Sequence, residues 1–309
     1  MKTEYLIRPR PITERSVVAV GSFDGLHLGH RAIFDRLIER AKKLGVPSVV
    51  LSFDPHPKQV VGSGDLKLLT PGDEKPPAIA ALGVDLLVIV KFDERLAALS
   101  SEEFVEEYLT GALGVKEMVL GTDHGFGKNR SGSAESLENV SRSHGFEIVV
   151  IEPVLWMNEP IKSNRIRKSV AEGDMRRVAH MLGRPYPIGG EIVKGRGRGQ
   201  KLGFPTANIR TPNEKLLPPP GVYAASDESG QPGLVYIGSC PTFADGEFTV
   251  EFHRIEPAKY KVGERINISL FERFRGEITF PDSGELVKQI EQDRIRLVDW
   301  VENTSGIRK

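Results

Sequence analysis

The sequence predicts two units in series: an α/β half built on a parallel sheet, then a small antiparallel β-barrel with a closing helix. Two observations carry this reading. Up to about Gly183, short apolar runs alternate with amphipathic stretches, the rhythm of strands joined by crossover helices. After Arg184-Pro185-Tyr186-Pro187 the pattern changes to short β-rich runs with frequent glycine. A length of 309 residues fits two domains, placed here at 1–184 and 185–309.

In the first half the expected strands are Val17–Val20, Val49–Phe53, Leu86–Val90, Met118–Gly121 and Ile148–Ile151. Between them the spacing predicts helices over Arg31–Leu44, Glu74–Leu82, Ser101–Leu113 and Ala134–His144. Ile33, Leu37, Ala41 and Leu44 recur at helical intervals in the first, and Gly45 reads as its stop. Ser100 or Ser101 followed by Glu103 resembles an N-capping arrangement, with Phe104, Tyr108 and Leu109 as the buried stripe. The second half offers strands at Gly190–Val193, Gly221–Ala225, Leu234–Ile237, Phe248–Phe252 and Arg265–Leu270. A last helix over Ser283–Asn303, with Leu286, Ile290, Leu297, Val298 and Val301 near one face, is expected to cover the barrel. Pro76-Pro77 and Pro218-Pro219-Pro220 read as loop punctuation.

Lysine and arginine number 42 and so do the acids, so no global field draws the chain to nucleic acid or an anionic membrane. Phosphate affinity must be local. Cys240, the lone cysteine, excludes an internal disulfide and a multi-cysteine zinc site. Lys2, Glu4 and Arg8 interrupt any signal-peptide core, and no apolar run is long enough to span a bilayer, which points to the cytoplasm.

Gly21-Ser22-Phe23-Asp24-Gly25-Leu26-His27-Leu28-Gly29-His30 follows the first predicted strand and opens the first helix. A helix start presents unpaired N–H groups and a positive dipole end, and Gly25 and Gly29 let backbone approach an anion closely. His27 and His30, on the first turn, are placed to donate to phosphate oxygens and to stabilise charge as phosphorus is attacked. A metal pair is the competing reading, but His-x-Gly-His lacks the glutamate of the helical zinc motif and a third ligand nearby. A chance pair beside a glycine-rich turn of a doubly wound sheet is the other.

The second concentration of glycine and cations runs from Gly195 to Asn208 and includes Arg196, Gly197, Arg198, Lys201, Gly203, Pro205 and Thr206. Pro205 stands where the helix of a dinucleotide fingerprint would run, and the tract is too short for an arginine-glycine RNA tail. A phosphate loop remains, with Thr206 and Asn208 supplying neutral oxygens on one side of an extended segment, as Mg²⁺ prefers. On the Phe248–His253 run, Glu251 and His253 share one strand face while Val250 and Phe252 take the other. Glu251 is the candidate base for phosphoryl transfer to an alcohol, against the plainer reading of a solvated edge carboxylate, and His253 has the weaker case.

Taken together these runs, with Phe53-Asp54-Pro55-His56-Pro57, Leu69-Thr70, Gly125–Arg130, Gly221-Val222-Tyr223, Ile237-Gly238, Pro241-Thr242-Phe243 and Arg275–Phe280, resemble the bacterial bifunctional riboflavin kinase/FMN adenylyltransferases, or FAD synthetases. The resemblance runs nearly end to end, in order and spacing. It implies a Rossmann-like nucleotidyltransferase domain followed by a flavokinase barrel. It further implies ATP as cosubstrate, riboflavin, FMN and FAD as substrates and products, and Mg²⁺ as cofactor. Carried over residue by residue, it implies His27 and His30 on the ATP phosphates, with Gly21, Phe23, Asp24, Gly25, Gly29, Ser163, Arg165 and Arg167 around them. In the barrel it implies Gly197, Lys201, Gly203 and Pro205 on ATP, Thr206 and Asn208 on the metal, and Glu251 as base. His56, Asn129, Arg130 and Arg275 are the implied flavin contacts.

The family's Ser-Ser-Thr-x-Ile-Arg segment is here Lys162-Ser163-Asn164-Arg165-Ile166-Arg167, with two hydroxyls gone. Tyr236 and Cys240 stand where the family more often has other polar residues. A riboflavin kinase with weakened or inactive adenylyl transfer and a non-catalytic flavin- or nucleotide-binding regulator are therefore the alternatives; a regulator, however, has no need of the Glu251 base.

Overall fold

The computed structural model describes residues 1–62, 65–122, 134–195, 197–239, 248–256 and 258–305. The chain divides into two compact units, Met1–Ser163 and Asn164–Lys309. α7 (Ser163–Glu172) and α8 (Met175–Leu182) lie between that division and the first barrel strand.

The first unit runs β1 (Lys2–Leu6), β2 (Ser16–Val20), α1 (Leu28–Leu44), β3 (Ser48–Asp54), α2 (Pro57–Val61), α3 (Lys75–Ala80), β4 (Leu86–Lys91), α4 (Glu94–Ala98), α5 (Ser101–Phe104), β5 (Val115–Gly121), α6 (Ala134–His144) and β6 (Glu147–Ile151), then a short hairpin of β7 (Leu155–Trp156) and β8 (Glu159–Pro160). The six-stranded sheet has order β1-β4-β3-β2-β5-β6 and is parallel throughout. From β2 the chain first builds toward β3 and β4, then returns to place β5 on the other side. This reversal opens a crevice past the carboxyl end of β2, where sheets of this kind bind ligands.

Both faces of β2 are covered. Val18 joins an apolar cluster with Leu51, Val88, Leu109 and Met118, whereas Val17 and Ala19 join another with Phe34, Leu37, Leu87 and Val119. The unexpected β1 is an edge strand of which only Leu6 is buried, so it carries little of the apolar signal that marks the inner strands. Helix α1 begins three residues before the expected start, and Gly45 ends it in the left-handed conformation at φ 64°. The expected helix over 74–82 shortens to α3, and Pro76 and Pro77 fall in its first turn, where a missing N–H leaves no bond unmade. They are helix-starting residues rather than loop punctuation. The expected single helix over 101–113 is α5 followed by a π-helical stretch, Val105–Thr110, in which the Gly111 N–H donates to the Glu106 carbonyl.

The second unit continues with β9 (Tyr186–Val193), α9 (Arg198–Lys201), β10 (Ala207–Arg210), β11 (Gly221–Asp227), β12 (Pro232–Ser239), β13 (Phe248–Arg254), β14 (Arg265–Gly276) and α10 (Ser283–Ser305). Its strands close an antiparallel barrel in the order β10-β13-β12-β11-β14-β9, with β9 and β14 sealing it. Val235, Ile237, Val250 and Phe252 are fully buried on one face of the wall. On the other face Val222, Ala224, Leu234 and Phe274 pack with Leu297 of α10, so the last helix does cover the barrel. Val298 of the expected stripe is exposed instead, and Asp293 is buried on the helix. Among the described residues no helix is long and apolar enough to cross a membrane.

Candidate active site

At the end of β2 the chain turns sharply, and the turn is strained. Phe23 and Leu26 adopt positive φ, 45° and 46°, either side of Gly25 at 92°. Phe23 folds back over Gly21, where an added Cβ would meet its ring at 3.0 Å, and packs edge-on to His30 with ring centroids 5.3 Å apart. A side chain at 21 would push that ring away.

His27 is the N-cap of α1, its Nδ1 accepting from the His30 N–H at 3.4 Å. The two imidazoles stack with centroids 3.6 Å apart and planes 20° from parallel. A Cβ at Gly29 would lie 3.2 Å from the His27 ring, so this glycine leaves the room in which the ring sits. His27 is buried and His30 half-buried, so His30 is the more accessible imidazole and His27 sets its backbone and ring plane. The pair thus stands at the positive end of a 17-residue helix, in the crevice where the sheet order reverses.

Asp24, expected at the nucleotide, is buried with its carboxylate accepting from the N–H groups of Leu69 at 3.1 Å and Thr70 at 2.8 Å. The Gly25 N–H donates in return to Thr70 Oγ1 at 3.2 Å, and Ser163 Oγ donates to the Asp24 carbonyl at 2.9 Å. The first three bonds staple the turn to the 69–70 segment, giving Leu69-Thr70 a physical reason to stand in the motif set, and the fourth ties it to Ser163. Arg165 and Arg167 lie on α7 of the second unit, where Arg167 donates to Asn164 Oδ1 at 2.9 Å. His56 is buried as the N-cap of α2, accepting from the Lys58 N–H at 3.1 Å, and this capping role is the one the geometry gives it. Asn129 and Arg130 lie outside the described residues, as do Arg196 and the 240–247 run.

In the barrel the strand register assembles a row. Asn208 of β10 stands opposite Glu251 of β13, Glu251 opposite Tyr236 of β12, Tyr236 opposite Val222 of β11, and Val222 opposite Arg275 of β14. Directly opposed residues project to one face, so four polar side chains from distant parts of the sequence share a band around the wall. Thr206 Oγ1 donates to Glu251 Oε2 at 3.5 Å. The Tyr236 hydroxyl donates to Glu277 at 2.5 Å, and burial first, then that bond, pushes its pKa far up, so the phenol keeps its proton beside Glu251. Arg275 is held by Asp293 of α10 through Nε and Nη2, at 2.8 Å for the latter, which ties the closing helix to this band.

The glycine-rich segment turns tightly beside the Asn208 end of the row. Gly197 and Gly203 take φ of 66° and 89°, which favours glycine, and the Phe204 N–H donates to the Gly199 carbonyl at 2.8 Å. A Cβ on Gly195 would lie 2.1 Å from Asn208 Nδ2, and one on Gly199 3.2 Å from Thr206 Oγ1, so both glycines form a cradle beside the expected metal-holding pair. Pro205, also in that segment, is fixed by its carbonyl, which accepts from His253 Nδ1 at 2.9 Å. Hydroxyl, amide and carboxylate oxygens at 206, 208 and 251 are the hard donors that suit Mg²⁺ sharing its shell with substrate phosphates. Lys201 ends α9 on this segment.

A family model described as FAD synthetase matches residues 10–165, and one described as riboflavin kinase matches residues 182–301. The bifunctional riboflavin kinase/FMN adenylyltransferase of Listeria monocytogenes is 35% identical over 303 residues, spanning 95% of this chain and 96% of its own. That of Bacillus subtilis is 33% identical over 318 residues, spanning 98% and 99%. A crystal structure described as a macrolide-efflux protein from Streptococcus pneumoniae matches with a TM-score of 0.86 at 27% identity, over 96% of this chain and 99% of its own. Its description speaks of efflux while both family models speak of flavin chemistry; what it shares with this chain is architecture.

Proposed function

The chain belongs to the bifunctional riboflavin kinase/FMN adenylyltransferase family, and we propose that its two transfers from ATP divide between the halves at 1–184 and 185–309. It phosphorylates riboflavin to FMN and adenylylates FMN to FAD. What supports the division is the barrel row: Asn208 and Glu251 face each other across neighbouring strands, with Thr206 hydrogen-bonded to the same carboxylate.

In the barrel, Glu251 accepts the proton of the ribityl 5′-hydroxyl as that oxygen bonds to the γ-phosphorus, and the bond from phosphorus to the departing ADP breaks. Thr206 and Asn208 hold Mg²⁺, which when bound offsets the charge of the phosphates. Gly197, Lys201, Gly203 and Pro205 belong to the loop around the ATP phosphates, and Arg275 to the flavin side.

In the α/β half a phosphate oxygen of FMN bonds to the α-phosphorus of ATP and pyrophosphate leaves. The nucleophile is already an anion, so no base is needed. Orientation and charge stabilisation by His30, aligned by His27, and by the N–H groups opening α1 supply the catalysis. Arg165, Arg167 and Ser163 complete the family's phosphate motif, and Asn129 and Arg130 its flavin contacts. The proposed compartment is the cytoplasm.

The test is direct. Purified protein incubated with riboflavin, ATP and Mg²⁺ yields FMN and FAD on chromatography of the flavins. FMN alone would leave the α/β half without its transfer, and unchanged riboflavin would defeat the reading.

A further inference from the structure

Lys75 is 6% exposed, a rare condition for a lysine, and the chemistry above gives it no part. It opens α3, and its Nζ donates to Ser52 Oγ at 3.1 Å. Ser52, fully buried near the end of β3, donates in turn to the Ser22 carbonyl at 3.4 Å. The ammonium is thus two hydrogen bonds from the strained turn that carries the histidines. The same loop, five residues earlier, grips Asp24 through Thr70, and at Gly72 an added Cβ would lie 3.6 Å from the Asp54 carboxylate.

We propose that Lys75 is a positioning residue for adenylyl transfer: through Ser52 it holds the 22–25 turn in the conformation that aims His30 at the reacting phosphate. The inference rests on the activity proposed above for the α/β half. Burial pulls the lysine below its usual range, and the negative charges of Asp24 and Asp54 act against that pull. Keeping a charge buried costs the fold free energy that an apolar side chain of similar volume at this position would not. Retaining the lysine therefore makes sense where the turn's geometry, rather than the fold, depends on it. Backbone such as Phe23 and Leu26 at positive φ persists only when its surroundings over-determine it.

The experiment compares the full-length wild type with Lys75→Met, Lys75→Arg and Ser52→Ala in two assays, FMN plus ATP to FAD and riboflavin plus ATP to FMN, alongside thermal melting. We expect Lys75→Met to lower kcat for FAD about tenfold or more, to change KM for ATP less than about threefold, and to leave riboflavin phosphorylation unchanged. Its melting midpoint stays at or above that of the wild type, which separates a positioning role from a structural one. Lys75→Arg recovers part of the rate, and Ser52→Ala lowers kcat in the same direction. The proposal is overturned if Lys75→Met and Ser52→Ala both form FAD within about twofold of wild type, or if the loss in Lys75→Met matches its loss of folded protein while Ser52→Ala is silent. A wild type that makes no FAD at all overturns the underlying activity instead, and this inference with it.

Discussion

His253 Nδ1 lies 2.9 Å from the carbonyl oxygen of Pro205, so a ring on β13 fixes the last residue before Thr206. The carbonyl can only accept, so Nδ1 carries the proton. Burial, the largest influence, holds this imidazole below its usual pKa, with Arg294 adding to the effect and the Pro205 bond opposing it.

A histidine depressed in the folded state contributes fully above its unfolded pKa of about 6.5 and loses that contribution as pH falls through the lower folded value. The melting midpoint of the second unit is therefore expected to decline as pH falls below about 6.5. His253→Asn, which keeps a donor near Nδ1 and does not titrate, flattens that decline. Equal acid dependence in both proteins, measured by melting across pH, would refute the assignment.

Glu251→Gln keeps the shape of the carboxylate and removes its basicity. Riboflavin phosphorylation is expected to fall about 10²-fold or more, whereas FMN supplied directly is still converted to FAD.

His30→Ala gives the reverse, with FAD formation down by at least about tenfold and FMN formation unaffected. Assaying both steps on both variants checks the division of labour; loss of one and the same step in the two would refute it.

Gly195→Ala places a Cβ where Asn208 Nδ2 now stands, at 2.1 Å. Displacing that amide is expected to reduce riboflavin phosphorylation by at least about tenfold, with adenylyl transfer as the internal control.

Half-buried Arg275 and buried Asp293 form a bidentate pair, with side-chain exposures of 16% and 6%. Asp293→Ala strands the guanidinium and should cost about 3 kcal/mol, while the double change Arg275→Met with Asp293→Leu recovers most of it. Denaturant unfolding of the three variants measures this.

Much of the fold is legible in the sequence. Strands buried on both faces, such as Val17–Val20, announce themselves as unbroken apolar runs, and Gly45 marks a helix end by its conformation. What escaped has a common cause, that its stability comes from tertiary context. The edge strand β1 buries one side chain, α3 starts on prolines, and the 105–110 stretch widens to π geometry while still burying Tyr108 and Leu109. Periodicity set Glu251 apart from Val250 and Phe252 on β13 and put the histidines at the start of α1, because spacing along one element decides the face. It could not show that Asp24 faces the Leu69 and Thr70 amides, that His56 caps a helix, or that Tyr236 and Arg275 join Glu251 in one band. The His56 cap is local, two residues from its donor, but the other relations join strands and loops far apart in sequence and arise only in the folded chain.

The barrel is sealed by its first strand pairing with its last, and Asp293 of the following helix then clasps Arg275. On a ribosome, all strands of the parallel sheet have emerged by Ile151, while β9, ending at Val193, must wait for β14, which begins only at Arg265. Synthesis therefore delivers a finished nucleotide-binding half while the phosphorylating half is still an open sheet. For the length of that interval the growing polypeptide carries exposed strand edges, and it is there, rather than in the sheet, that a chaperone would be needed.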